Sequence, residues 1–343
     1  MLTLSSLAFG WFTIFVILLI GYAILDGFDL GVGLLHLFAR EDNERRVLLN
    51  SIGPVWDGNE VWLVTAAGSL LAGFPDIYAT MLSGFYIPVM ALLAGLILRA
   101  VAIEFRSKEK MKWWRWMWDI TFFIGSFMIS FILGWVLGNL IRGIPLDDHK
   151  EFIGTFSDLI HPYTLLVGIL TVSLFMMHGS IYLLMKTEGE LHDHLRGRAT
   201  GSIIFYIIMY AVTTMATLIF MPHMLDAFRQ RPEFFIFAII NLLAIANIPR
   251  EINKGRDGRA FICSCVNILC LLGLYAIGTY PNVIRATNDP KILSLTIFNS
   301  SASEKTLQIL FLIAFIGIPL VLSYTIAIYY IFRGKVKIDS YSY

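Results

Sequence analysis

Charge is what this sequence has least of: 15% of its 343 residues are Asp, Glu, Lys or Arg, against roughly 25% in a soluble domain. Long polar stretches are equally scarce, and together these deficits exclude an ordinary water-soluble fold. The formal net charge is only +1, too small for the basic surface that a nucleic-acid partner requires. Cysteine is nearly absent. Cys263, Cys265 and Cys270 all fall in one apolar stretch, so no disulfide framework is expected and they read as buried structural thiols.

Apolar residues, 57% of the total, take the place of charge. Runs of about 20 of them recur, each long enough to cross a hydrocarbon core about 30 Å thick as a helix. Lipid offers the backbone no hydrogen-bond partner, so these runs must be α-helices. Nine spans are expected, near 7–35, 52–74, 79–103, 117–140, 162–185, 200–221, 234–249, 260–281 and 307–332. The first has no basic leader or small-residue cleavage site and carries Asp26 and Asp29, so it reads as a retained span. Connections are short except about 141–161 and 282–306, and residues 1–343 read as a single all-α polytopic membrane domain.

The basic residues set the orientation. With the N-terminus outside and the C-terminus inside, 18 Lys and Arg fall in the inner segments 36–51, 104–116, 186–199, 250–259 and 333–343, and 7 fall in the outer loops. An excess of this kind marks the cytoplasmic face.

Ionisable residues inside such spans are expensive, which makes them functional candidates. Asp26 and Asp29 are three apart and share one helix face, and Asp57 and Glu60 repeat the spacing on the second span. Arg99 and Glu104 close the third span, Asp119 opens the fourth, and His178 lies in the inner half of the fifth. With the orientation above, all of these converge on the cytoplasmic third of the membrane. Carboxyl groups beside an arginine in a low-dielectric setting suit a proton route, because desolvation and like charge favour proton binding. The competing reading is a charge network that only locks helices together. For Asp119 a solvated helix end is the simpler expectation. His178, in Met176-Met177-His178-Gly179, invites a haem-ligand reading, but a lone histidine among apolar residues is more simply a helix-packing residue. Gly27, Gly31 and Gly33 suit close helix approach. Trp113, Trp114, Trp116 and Trp118 read as an interfacial belt. Gly189 to His194, with two histidines and two acids, reads as a solvated turn rather than a metal site.

Several motifs together resemble subunit II of cytochrome bd-type quinol oxidases. They are Gly21 to Gly33, Glu44-Arg45-Arg46, Asn50-Ser51, Trp56-Asp57-Gly58-Asn59 with Val61-Trp62, Ser83 to Tyr86, Phe105 to Lys108, Met117-Trp118-Asp119, Ile124 to Ser126 and Gly138-Asn139. Gly189 to His192 with Arg198-Ala199 continue the pattern, which is dense over about the first 140 residues and thin beyond the sixth span. The resemblance implies two four-helix bundles plus one peripheral helix, in a bacterial cytoplasmic (inner) membrane. It also implies a larger partner, subunit I, which holds a pair of haems b, haem d and the quinol site and reduces dioxygen to water, and it allows a small accessory subunit. This chain would then be scaffold, a wall of the oxygen route and part of the proton route. Asp57 would be the proton-entry carboxylate, Asp26, Asp29 and Arg99 the polar cluster, and Trp62 a residue of the oxygen path. Glu60 stands where the resemblance implies a glutamine. A stand-alone proton-coupled transporter and a purely structural membrane subunit are the alternatives that the acids alone leave open.

Overall fold

The computed structural model describes residues 3–337, so the end of the inner segment 333–343 lies outside the described residues. The chain is built from helices: α1 (Leu4–His36), α2 (Asp42–Ile52), α3 (Trp56–Gly73), α4 (Pro75–Gly84), α5 (Tyr86–Phe105), α6 (Lys112–Arg142), α7 (Pro162–Lys186), α8 (Gly189–Phe220), α9 (Asp226–Gln230), α10 (Phe235–Asn253), α11 (Asp257–Thr279), α12 (Pro290–Leu293) and α13 (Glu304–Ile331). Strands β1 (Asn282–Ile284) and β2 (Leu295–Thr296) form a small antiparallel pair.

Their ends follow from local chemistry. The Thr3 side chain accepts from the Ser6 N–H at the start of α1, and Ser303 does the same from Thr306 before α13. Pro75 and Pro162 open α4 and α7, where a missing N–H loses no helical bond. With 33, 31 and 32 residues, α1, α6 and α8 exceed the thickness of a bilayer core and emerge from it.

Among the described residues, eight helices have the length and apolarity to cross a membrane. The expected second and third spans resolve into α3, α4 and α5. Of these, α3 is not among the eight, and it is the helix that carries Asp57 and Glu60. Two segments expected as connections are helical. The inner segment 36–51 contains α2, whose first turn holds Asp42 and Glu44. The expected turn at Gly189 to His194 is the start of α8, made possible by Gly189 at φ 65° and followed without a break by the apolar run. Its histidines face partners on other elements: His192 Nε2 lies 3.1 Å from Asp257 and His194 Nδ1 3.5 Å from Glu44.

Lipid tails are as apolar as leucine, so helices in a bilayer are held by close packing and polar contacts rather than by hydrophobic burial. At the α1–α7 crossing, Gly31 meets Gly179. A Cβ on Gly31 would fall 2.0 Å from the Phe175 carbonyl oxygen, and one on Gly179 would fall 2.6 Å from Gly31 Cα. The expected small-residue role of this glycine stripe is therefore met: Gly27 and Gly31 seat α7 and Gly33 meets Ser126 of α6, while Asp26 and Asp29 face α5 and α3. Gly95 and Gly125 do the same for α5 and α6, bringing the backbone at Arg99 against Gly125. On the α1–α3 seam, Trp62 fills the space beside Gly21, and the Trp11 indole donates to the Ser69 carbonyl at 2.9 Å.

The two long loops close the end away from the Lys/Arg-rich connections. The Ile144 N–H donates to the Arg285 carbonyl at 2.9 Å, and Asn288 both accepts from the Leu146 N–H and donates to its carbonyl. The Ala302 N–H donates to the Gly73 carbonyl, pinning this cap to the end of α3.

Candidate functional site

At the opposite end, α1, α3, α5 and α13 build a polar cluster. Asp26 and Asp29 lie near the end of α1 and are fully buried, as is Arg99 near the end of α5. The Arg99 guanidinium grips Asp26 with two nitrogens, at 2.8 Å and 2.7 Å, and reaches Glu60 on α3 at 3.2 Å. A two-pronged contact of this kind suits guanidinium geometry and fixes both partners. Asn59 donates to Asp29 at 2.7 Å and to the Leu25 carbonyl at 3.1 Å, while the Tyr329 hydroxyl donates to Asn59 Oδ1 at 2.9 Å. A single amide thus links α1, α3 and the last helix.

Exposure is graded along this set. Asp57, in the first turn of α3, is exposed; Glu60, one turn on, is half-buried; Asp26 and Asp29 are enclosed. Two of the three enclosed or half-buried carboxyl groups meet the one guanidinium, and the third, Asp29, is held by the Asn59 amide instead. Among the described residues, one oxygen of Asp29 and Nε of Arg99 are buried without a hydrogen-bond partner, and the buried Tyr22 hydroxyl lies beside Asp26. The arrangement has the parts of a proton path: an accessible acid, intermediate acids, unspent hydrogen-bonding groups and a fixed positive charge.

The structure brings together Asp26, Asp29, Glu60 and Arg99, all predicted from sequence, and leaves Asp57 at the mouth. Trp62 is half-buried on the α1–α3 seam. Asn59, Tyr329 and Tyr22 were not singled out by sequence. Asn59 sits inside a recognised motif, but nothing in the apolar run of α13 marks Tyr329.

Asp119 corrects an expectation. Instead of a solvated helix end, it is fully buried. His36 Nε2 lies 2.5 Å from one oxygen, Arg106 Nε donates to the same oxygen at 2.5 Å, and Arg45 donates to the other at 2.9 Å. Asp42 completes the group by accepting from Arg106 and Arg115. The cause is α2, whose helix carries Arg45 over the start of α6. Replacing Asp119 with leucine leaves the buried Arg106 guanidinium with Asp42 alone and removes the shared carboxylate of His36 and Arg45, and is expected to cost about 3 kcal/mol. A thermal melt of the detergent-solubilised protein checks this, and an unchanged midpoint would show that Arg106 does not depend on Asp119.

His178 behaves as the helix-packing residue expected. Its Nδ1 lies 2.7 Å from Ser264 Oγ and its Nε2 2.9 Å from the Ile24 carbonyl, and its ring stacks on Phe261. Both ring nitrogens are committed to protein partners, so this histidine does not fit as an axial ligand for haem. Cys263, Cys265 and Cys270 are free thiols on α11.

Comparison with known proteins now bears on the site. The family model described as cytochrome bd terminal oxidase subunit II matches residues 7–332. The cytochrome bd-I ubiquinol oxidase subunit 2 of Escherichia coli K12 is 32% identical over 369 aligned positions, covering 98% of this chain and 97% of that protein. The cytochrome bd ubiquinol oxidase subunit 2 of Bacillus subtilis 168 is 35% identical over 337, covering 97% and 98%. The fold matches a chain in the structure of bd oxidase from Geobacillus thermodenitrificans with a TM-score of 0.80 at 17% identity, covering 95% of this chain and 98% of that one. An all-helical bundle with a buried acid–arginine cluster is therefore found in a chain that belongs to the cytochrome bd terminal oxidase subunit II family.

Proposed function

We propose that this chain delivers protons from the cytoplasm to the oxygen-reducing site of a bd-type quinol oxidase whose haems, a pair of haems b and haem d, are held by subunit I. The observation that carries the reading is the graded series Asp57, Glu60, Asp26 and Asp29 around Arg99. Reduction of dioxygen by quinol consumes protons on one side of the membrane, and an acid series opening towards the basic face is placed to supply them. In this reading Asp57 takes a proton from water and passes it to Glu60. Arg99 holds Glu60 and Asp26 in reach of each other and balances their charge. Asn59 presents Asp29 as a second acceptor.

The committed nitrogens of His178 support haem ligation by the partner rather than by this chain. The outward face of α3, with Asp57, Val61 and Val64 exposed, is left uncovered by this chain, and an exposed carboxylate beside apolar side chains suits contact with subunit I. On this reading α3 is a ninth span, the first bundle is α1, α3, α5 and α6, the second is α7, α8, α10 and α11, and α13 is peripheral. Trp62 then lines the seam along which oxygen passes, and the chain lies with its N-terminus outside and its C-terminus in the cytoplasm.

Asp57→Asn tests the reading. Quinol-driven oxygen consumption per haem is expected to fall roughly tenfold or more with the haem spectrum unchanged. Native turnover across the working pH range would remove Asp57 from the route. A fall in yield with native turnover per assembled complex would favour the structural-lock reading, for which the Arg99–Asp26 pair is the supporting observation.

A further inference from the structure

Beside the Asp119 cluster, between α2 and the start of α6, lies a cavity of about 690 Å³. Its walls carry Arg45, Lys110, Lys112 and Arg115, with Trp113 and Trp116 at the rim. We propose that this pocket binds the phosphodiester headgroup of an anionic phospholipid.

Charge is the first argument. Asp42 and Asp119 also line the cavity, but both are already engaged, Asp119 by Arg45 and Arg106 and Asp42 by Arg106 and Arg115. Three guanidiniums against two carboxylates leave one positive charge, and Lys110 and Lys112 raise the excess to three. Glu109, the acid in the connection between α5 and α6, does not line the cavity.

Unspent donors are the second argument. Among the described residues, Nε of Arg45, a residue of the cavity wall, is buried without an acceptor, as is one terminal nitrogen of Arg106, which is paired with the lining acids Asp42 and Asp119. The 31-residue α6 begins at Lys112 with no side-chain cap and no acid in its first turn, so its free N–H groups and the positive end of its dipole add to the field at the cavity.

Depth is the third argument, and it selects a lipid over a soluble anion. Trp113 and Trp116 are 58% and 62% exposed at the start of a spanning helix, the level at which indoles meet headgroups. Phe105 and Met111 are exposed in the same connection and offer apolar contact to acyl chains. Basic pockets at the membrane end of helices hold anionic headgroups by this combination. A headgroup here bridges α2 and α6 through Arg45 and Arg115. The proposal stands whether or not the acid cluster conducts protons.

The test is native mass spectrometry of the intact oxidase complex, titrated in mild detergent with phosphatidylglycerol or with phosphatidylcholine. The native complex is expected to take up phosphatidylglycerol preferentially. The double variant Lys110→Gln and Lys112→Gln, changed at two exposed side chains, is expected to bind its first phosphatidylglycerol roughly thirty-fold more weakly, from about fivefold per lysine. Lys110→Arg with Lys112→Arg should keep the preference. Equal uptake of the two lipids, an unaltered preference in the glutamine variant, or displacement of phosphatidylglycerol by equimolar inorganic phosphate would each overturn the proposal, the last by marking the pocket as a soluble-anion site.

Discussion

Arg99→Met is expected to leave little assembled complex. The guanidinium is fully enclosed and holds Asp26 by two nitrogens and Glu60 by one. Its removal strands a buried carboxylate, a loss of about 3–5 kcal/mol when one partner of a buried pair is deleted, which is a large share of the stability of an ordinary domain. Adding Asp26→Leu takes away the stranded charge, and a well-packed apolar pair in place of a buried ion pair is often neutral or stabilising. The double variant should therefore recover assembly. It should not recover turnover, because Asp26 and the charge that balances Glu60 are both gone. Yield and haem content measured beside oxygen consumption separate the two roles: recovery of both would reduce the cluster to a helix lock.

Gly179→Val is expected to be as damaging, for a reason unconnected with charge. Its new Cβ would fall within 2.7 Å of Gly31 Cα and of the Val32 nitrogen, and backbone atoms of a packed helix cannot move aside as a side-chain tip can. Relief requires α7 to retreat from α1, opening the contact of His178 with the Ile24 carbonyl next to the acids. Overpacking of this kind costs about 3 kcal/mol or more. Gly258→Ala is the control: it lies in α11 with nothing within 4 Å of the added atom, and should be neutral or slightly stabilising. Thermal midpoints of the two variants give the comparison. Equal midpoints would show that the α1–α7 crossing tolerates separation.

The legible part of this molecule is the part dictated by lipid. Apolar runs must be helices, and acids within them must be gathered together, so Asp26, Asp29, Glu60 and Arg99 were readable from position and depth alone. The illegible part is what water-exposed stretches do. α2 holds few apolar residues and reads as a connection, yet it places Arg45 over Asp119 and turns an apparent helix end into a buried cluster. His36, only seven residues beyond Asp29 on the same helix, was within reach of a periodicity argument. Tyr329 was not, since its role depends on α13 passing Asn59 from the far end of the chain. The boundary at Gly189 was missed because polar and apolar halves of α8 were read as different elements, although one continuous helix serves both.

The central claim is that Asp57 opens a proton route. The most direct test is rapid mixing of the fully reduced complex with oxygen in the presence of a pH-indicator dye. With haem content matched to the native complex, Asp57→Asn is expected to slow proton uptake roughly tenfold or more. Uptake at the native rate in that variant would contradict the account.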